Sequence, residues 1–237
     1  MTDDSKCRLC GRDSELRESH IIPRSIIKMI RDESLNNRFI ELHDGQDRII
    51  QDGPKEYLLC DDCEQKIGRY EKYFVEAVHY NKHGTDKKHD SKHLLIENLD
   101  YKKMKLFFLS LLWRMSISSR PEFEVVSIEG AEERIREMIL KDEPGDCTEY
   151  SVCAIAPLFD DGIEEGYFLG PFVSKRVSET IIRIVIGGIL CSISTARQGT
   201  SLPQRLLLNE SGSWIMPLRD FSSIPLLQEY IERHFNK

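Results

Sequence analysis

Apolar residues recur along the chain at spacings that change several times, and each spacing predicts a type of element. After Pro23 and again after Asp61 they return every three or four positions, which predicts amphipathic helices there. Residues 101–118 are apolar on nearly every side, so this helix is expected to be buried. A charged amphipathic helix is predicted for 129–141 and a last helix for 224–235.

The C-terminal half also contains short runs of β-branched and aromatic residues that predict strands. Gly187-Gly188 predicts a two-residue hairpin turn, although glycines within one long strand would equally admit a close neighbour. Asn209–Gly212 is a second hairpin signal. We therefore expect an antiparallel sheet within an α+β fold. The predicted strands are residues 150–158, 166–172, 180–186, 189–194, 205–208 and 214–216.

Composition and charge limit the function classes. The 237 residues are 40% hydrophobic and 31% charged, which is typical of a globular protein with a sizeable core. The net charge of −7 argues against a broad, histone-like phosphate-binding surface, but not against a local basic cleft. The acidic start predicts no signal peptide, and the longest apolar runs, 106–113 and 184–193, are too short to span a bilayer. We expect a cytoplasmic protein without membrane association.

Four of the seven cysteines form two Cys-x-x-Cys pairs, which predicts a structural zinc ion. Zinc takes four tetrahedral ligands and prefers thiolates, and each pair supplies two from one tight turn. The 49 residues between the pairs exceed the spacing of a compact zinc ribbon, so an insertion separates the two halves. The alternatives are a disulfide pair or four unrelated buried thiols. The predicted ligands are Cys7, Cys10, Cys60 and Cys63.

The order of these motifs resembles that of the HNH endonucleases. The first pair is followed by Ser19-His20-Ile21-Ile22-Pro23 and then by Leu59 and the second pair, where the family has Cys-x-x-Cys, Asp-His-Ile-x-Pro, an Asn and Leu-Cys-x-x-Cys-His. The resemblance covers Cys7 to about Phe74. It implies an N-terminal treble-clef zinc-binding unit, of the ββα-metal type, that holds a nuclease centre.

The resemblance also implies roles for individual residues. His20 is the candidate catalytic base, and its unperturbed pKa lies near working pH, so a neutral imidazole is available. Glu64 occupies the position of the family's metal-binding His. A carboxylate is a hard oxygen ligand, which suits a catalytic Mg²⁺ or Mn²⁺.

The sequence departs from the family pattern at two positions. The Asp before the catalytic His is replaced by Ser19, and the middle Asn falls near Lys55. A second acidic ligand would have to come from Glu18 or Glu71. Glu71 shares a helical face with Glu64, and Glu18 shares a strand face with His20.

These features divide the chain into an HNH-like zinc-binding unit (1–80), an exposed loop (81–94) and an α+β domain (95–237). Whether the last part is separate or wraps the zinc unit into one core stays open. Three basic residues of the predicted helix after Pro23 are candidate contacts to a nucleic-acid backbone, although such stripes are usually solvated faces. They are Arg24, Lys28 and Arg31.

Three hypotheses about function are compatible with these residues and motifs. The first is a metal-dependent endonuclease acting on nucleic acid, with DNA as the expected substrate; the family often serves in bacterial defence. Its C-terminal part would recognise substrate, form a homo-oligomer or bind a regulatory protein. The second is a non-catalytic zinc module that binds nucleic acid or a protein, which the missing Asp and Asn favour. A weaker third hypothesis makes the C-terminal part a ligand sensor with Gly187 near its pocket.

Overall fold

The structure is a computed structural model of the chain. It describes residues 6–33, 39–41, 48–50, 52–159, 162–163 and 165–235. The fold is mixed α+β, with a seven-stranded mixed sheet and two two-stranded antiparallel sheets. Within the described part, no helix is both long enough and apolar enough to cross a membrane.

The N-terminal part places a small antiparallel sheet beside two helices. Its elements are β1 (Leu16–His20), α1 (Arg24–Glu33), β2 (Phe39–Glu41), β3 (Arg48–Ile50), β4 (Lys55–Cys60) and α2 (Asp61–Phe74). Strand β1 pairs with β4, which places His20 opposite Lys55. Both amphipathic helices are confirmed, because Ile26 of α1 and Ile67 of α2 are buried where their spacing predicted. Acidic residues in the first turn of α2 favour its start through the helix dipole.

The rest of the chain builds the large sheet and three helices. These elements are β5 (Asp86–His89), β6 (His93–Glu97), α3 (Tyr101–Ile117), α4 (Glu132–Lys141), β7 (Val152–Leu158), β8 (Leu169–Lys175), β9 (Thr180–Ile186), β10 (Ile189–Ser194), β11 (Trp214–Asp220) and α5 (Pro225–Phe235). The strand order is β5-β6-β11-β7-β10-β9-β8. The predicted helices and most predicted strands are present. The sheet is not purely antiparallel as predicted, because β11 runs parallel to β7.

The prediction of an exposed loop at 81–94 needs correction, because this range contains β5 and the start of β6. Strand β5 is the outer strand of the sheet, and most of its side chains are exposed. An edge strand of this kind needs no apolar alternation, and lysines protect it against pairing with another chain. Its sequence, Asp86–His89, therefore had the composition of a loop although its backbone pairs with β6.

The prediction of a strand at 205–208 was also wrong, because these residues form no strand. Residues Gln204–Leu206 form a 3₁₀ turn, and Leu207 makes only an isolated bridge with Cys153. The turn Asn209–Gly212 consequently closes no hairpin. It packs instead against Leu99, whose carbonyl oxygen would lie 2.7 Å from a Cβ placed on residue 212.

The glycine pair between β9 and β10 forms the expected hairpin turn. Both residues have positive φ, +59° for Gly187 and +73° for Gly188, which glycine adopts without steric cost. A Cβ on Gly187 would contact the ring of Phe74 at 3.4 Å. The turn is thus packed against the N-terminal part, where the sensor hypothesis expected a pocket.

One core cluster of buried residues runs from Cys7 to Met216 and includes side chains from both predicted units. At its centre, Phe74 of α2 stacks on Phe107 of α3, with ring centroids 4.1 Å apart. Helix α3 is buried along nearly its whole length, as its uniformly apolar sequence predicted. The N-terminal part that contains the four cysteines and the C-terminal part therefore share a hydrophobic core.

Candidate metal centre and the adjoining His20 site

The two cysteine pairs converge on one point. A tight turn that ends at Gly11 (φ +74°) presents Cys7 and Cys10, and Gly11 N–H donates to the Cys7 carbonyl at 2.8 Å. Cys60 ends β4, and Cys63 lies in the first turn of α2. All four Sγ atoms lie within 4.8 Å of one another. The four cysteines lie close enough to bind a metal ion such as zinc.

The separations also exclude the two alternatives. Sγ of Cys10 and Sγ of Cys60 are 3.8 Å apart, whereas a disulfide requires about 2.05 Å. Tetrahedral zinc with bonds of about 2.3 Å places its sulfur ligands about 3.8 Å apart. All four cysteines are free thiols, and their convergence is not that of unrelated core residues.

The thiols of the cluster differ in how their surroundings shift the pKa. Burial raises the pKa of the Cys7 and Cys63 thiols, because thiolates are poorly solvated there. Burial acts in the same direction on Cys10, but the Arg12 guanidinium, whose Nε lies 3.4 Å from Sγ, outweighs it and lowers the pKa to about 6. Arg12 also pairs with Asp62 at 2.8 Å. Four protein sulfurs leave no open position on zinc, which is the mark of a structural site.

His20 lies at the end of β1 with a carboxylate partner. Its Nε2 is 2.6 Å from Oδ1 of Asp52, and the His20 side chain is 14% exposed. Burial raises the pKa of Asp52, but hydrogen bonds from Lys55 and His20 outweigh it and lower the pKa to about 2. Asp52 is therefore ionised, so Nε2–H donates to it. The lone pair of the neutral ring then lies on Nδ1.

Asp52 is a residue that sequence reasoning missed. It lies 32 positions from His20, and it belongs to the insertion between the cysteine pairs rather than to a motif. Gly53-Pro54 follows it, which marks a turn but not a partner for His20. A Cβ on Gly53 would lie 2.2 Å from Cδ1 of Ile27, so this turn and α1 approach closely.

Ser19 and Glu64, which occupy metal-ligand positions in the family pattern, contact each other directly. The hydroxyl of Ser19 donates to Oε2 of Glu64 at 2.7 Å, and Ser19 is completely buried. Because adjacent strand residues point to opposite faces, Ser19 faces α2 while His20 faces the other way. The structure thus brings Glu64 to the residue beside His20, and no described contact joins the two predicted catalytic side chains themselves.

The other candidate carboxylates are paired with cations. Oε1 of Glu71 lies 2.6 Å from Nη2 of Arg114, and Oε2 of Glu18 lies 3.4 Å from Nζ of Lys55. Among the residues that the structure describes, the four cysteines are the only group of three or more Cys, His, Asp or Glu ligand atoms that converge. Neither Glu18 nor Glu71 forms such a cluster with Glu64.

The three basic candidates lie on α1, which begins four residues after His20. Arg24 and Lys28 are exposed, whereas Arg31 is half-buried and has an interaction of its own. Arg24 and Lys28 make no ion pair within the described part of the chain. They are available to a phosphate at this end of the molecule.

A cavity of about 230 Å³ lies beside the candidate metal centre. Its lining includes Arg12, Arg17 and Cys60. His20 is not part of it, so the cavity and the candidate base are separate features.

Comparisons with family models, with curated proteins and with solved structures found no match for this chain.

Proposed function

We propose that the chain is a metal-dependent HNH-type endonuclease that hydrolyses phosphodiester bonds in nucleic acid, with DNA as the substrate. The observation that carries the proposal is the His20–Asp52 pair. A carboxylate on Nε2 holds the imidazole in the tautomer that a general base needs.

The order of elements supports a treble-clef assignment for the N-terminal part. A cysteine turn precedes the β1–β4 pair, and the second cysteine pair marks the start of α2. The HNH motif order resembles this arrangement from Cys7 to Phe74. In such a unit the metal centre fixes the strand end that carries His20 relative to the helix that carries Glu64.

The proposed chemistry is hydrolysis by an activated water. Nδ1 of His20 accepts a proton from water as the new oxygen–phosphorus bond forms. The bond from phosphorus to the leaving sugar oxygen breaks, and that oxygen takes a proton from solvent. Asp52 stabilises the imidazolium because it is already ionised and hydrogen-bonded to the ring.

Glu64 is the proposed ligand for the catalytic cation, beside the Ser19 hydroxyl. Because Ser19 and Glu64 lie on the opposite face of β1 from His20, the phosphate would have to bridge the two faces at the end of the strand. A Mg²⁺ or Mn²⁺ ion there would supply positive charge to the scissile phosphate and the leaving oxygen. Because Mg²⁺ commonly keeps several waters and takes one or two carboxylates, a site with a single carboxylate from Glu64 is chemically adequate. Glu18 and Glu71 are the alternatives for a second carboxylate, and each would first have to leave its cationic partner.

The test is a nuclease assay on zinc-loaded protein with supercoiled plasmid, single-stranded DNA and RNA, in Mg²⁺, in Mn²⁺ and without a divalent ion. We expect divalent-dependent cleavage by the wild type, and a loss of about 10²- to 10⁴-fold in His20→Ala, the usual contribution of a general base. His83→Ala is the matched control, because His83 pairs with Glu76 as His20 does with Asp52 but lies elsewhere. Equal cleavage by wild type and His20→Ala would contradict the proposal.

A non-catalytic zinc module is the second candidate, and Ser19 favours it. A neutral hydroxyl replaces the family's Asp, and it already occupies one oxygen of Glu64. In that case neither wild type nor His20→Ala cleaves any substrate. A gel-shift assay would then show nucleic-acid binding that Arg24→Glu and Lys28→Glu weaken, or no binding if the partner is a protein.

A further inference from the structure

A buried guanidinium joins three elements at the His20 site. The side chain of Arg114, from α3, is 1% exposed. Its Nη1 donates to the backbone carbonyl of His20 at 2.7 Å, and its Nε donates to the Ser110 carbonyl at 3.3 Å. Its Nη2 lies 2.6 Å from Oε1 of Glu71 in an ion pair that is not aligned as a hydrogen bond. Arg114 thus connects the end of β1, helix α2 and helix α3.

The C-terminal end of α3 holds the other strand of the pair as well. Just beyond the helix, Ser119 donates its backbone N–H to Oε1 of Glu56 at 2.9 Å, and its hydroxyl donates to the same oxygen. Glu56 lies directly opposite Ser19 in the β1–β4 register. Arg114 of α3 and Ser119 just beyond the helix therefore fix both strands beside the candidate base.

A buried ion pair is a poor means of stabilising a fold. Moving both charges out of water costs as much as their attraction returns, and apolar residues of similar volume are often as stable or more so. What a guanidinium adds is direction, because its planar fork donates to several acceptors in a fixed geometry. Met or Leu would fill the space at position 114, but neither would hold the His20 carbonyl.

We propose that Arg114 is a positioning residue for His20, with Glu71 as its counter-ion. This inference rests on the proposed endonuclease function. Arg114 acts through the backbone of His20 and sets its orientation relative to α2, which carries Glu64. Glu71 then serves Arg114 and not the catalytic cation.

The test uses three full-length variants. Arg114→Met/Glu71→Leu removes the whole pair, so that no unpaired charge remains buried, and Arg114→Lys keeps the charge without the fork. Lys105→Met is the matched control, because it removes the other buried cation of the same helix without touching His20. Zinc content and thermal melting establish that each variant is folded.

Two readouts follow for each folded variant. The first is kcat and KM for plasmid cleavage, and the second is the ring signal of His20 in NMR spectra. We expect the double variant to lose about 100-fold in kcat, the usual cost of a displaced catalytic group, while KM stays within about twofold. Arg114→Lys should retain about a tenth of the wild-type kcat, and Lys105→Met should match wild type. The His20 signals should shift or broaden only in the Arg114 variants.

The spectra separate failure of this inference from failure of the proposed function. If the wild type does not cleave, altered His20 signals in the double variant still support the positioning role, and the endonuclease proposal alone fails. Wild-type His20 signals in the folded double variant would overturn the inference whether or not the protein cleaves. An unchanged kcat in that variant would overturn it as well.

Discussion

Two buried cations on the same helix differ in the hydrogen-bond and ion-pair partners that surround their charge. Arg114 and Lys105 both lie on α3, and neither is more than 1% exposed. The nitrogens of Arg114 reach two backbone carbonyls and a carboxylate. In the described part of the chain, Nζ of Lys105 has no hydrogen-bond partner. Burial lowers the pKa of Lys105 to about 8, although acidic groups at 146–149 act in the opposite direction.

Burial alone therefore does not determine the role of a charged side chain. Arg114 is held by contacts that run to the N-terminal part, which contains the four-cysteine cluster. Lys105 lies about two and a half turns earlier on α3, and nearby acidic groups offset only part of its desolvation cost. We therefore expect the Arg114 end of α3 to depend on its partners and the Lys105 end to be a source of instability.

Metal removal should have the largest effect and should act on one end of α3 only. Structural zinc contributes roughly 10–16 kcal/mol in small zinc-finger peptides, so we expect a loss of more than about 5 kcal/mol here. Hydrogen exchange after treatment with a chelator should show lost protection in β1, β4 and the Arg114 end of α3. Lost protection around Lys105 to the same degree would show that the two ends do not differ.

Arg114→Met alone should destabilise the protein by about 3–5 kcal/mol, because it leaves the Glu71 carboxylate buried without its partner. Denaturant unfolding at pH 7 measures the change. Lys105→Met is the reference in the same experiment. A loss below about 1 kcal/mol would mean that the carboxylate finds another partner or water.

Lys105→Met should stabilise the protein at pH 7 by up to about 3 kcal/mol, the equivalent of the pKa reduction from 10.5 to about 8. The folded state binds fewer protons at Lys105 than the unfolded state between these two values. The penalty is therefore complete below pH 8 and disappears as pH rises towards 10.5.

Unfolding of wild type and Lys105→Met at several pH values checks this sign. The gain should fall from about 3 kcal/mol at pH 7 to about 1 kcal/mol at pH 9.5. If the gain in the free energy of unfolding does not change with pH, it comes from better packing of methionine and not from relief of the buried charge.

The double variant Arg114→Met/Glu71→Leu should change stability least, by about 1 kcal/mol or less in either direction, because removing both charges also removes their desolvation cost. Denaturant unfolding beside Arg114→Met gives the comparison. A double variant as unstable as the single one would show that the His20 carbonyl contact, and not the ion pair, carries the stability.

Sequence reasoning succeeded where a short window contains the whole signal. The periodic apolar residues of α1 and α2 and the uniformly apolar α3 predicted these helices and their burial. The glycine pair predicted its hairpin from two residues. The strand β5 was missed because an edge strand needs no buried face, and the turn at Asn209–Gly212 was misread because its packing partner, Leu99, is distant in sequence.

The residues of the candidate site were likewise predicted only in part. The motif order placed His20, Ser19 and Glu64 in one neighbourhood, and Ser19 does contact Glu64. It did not predict Asp52 or Arg114, the two residues that hold His20. No sequence pattern singled out Arg114, because it belongs to a helix whose sequence indicated only a buried core element.

The four converging cysteines, the amphipathic helices and the position of the candidate base can all be recognised in the sequence. Each of these depends on local spacing, which backbone geometry converts directly into shared faces and turns. The contacts of His20 with Asp52, 32 residues away, and with Arg114, 94 residues away, are visible only in the folded chain. Such contacts depend on how the core packs α2 and α3 together, and no local pattern carries that information.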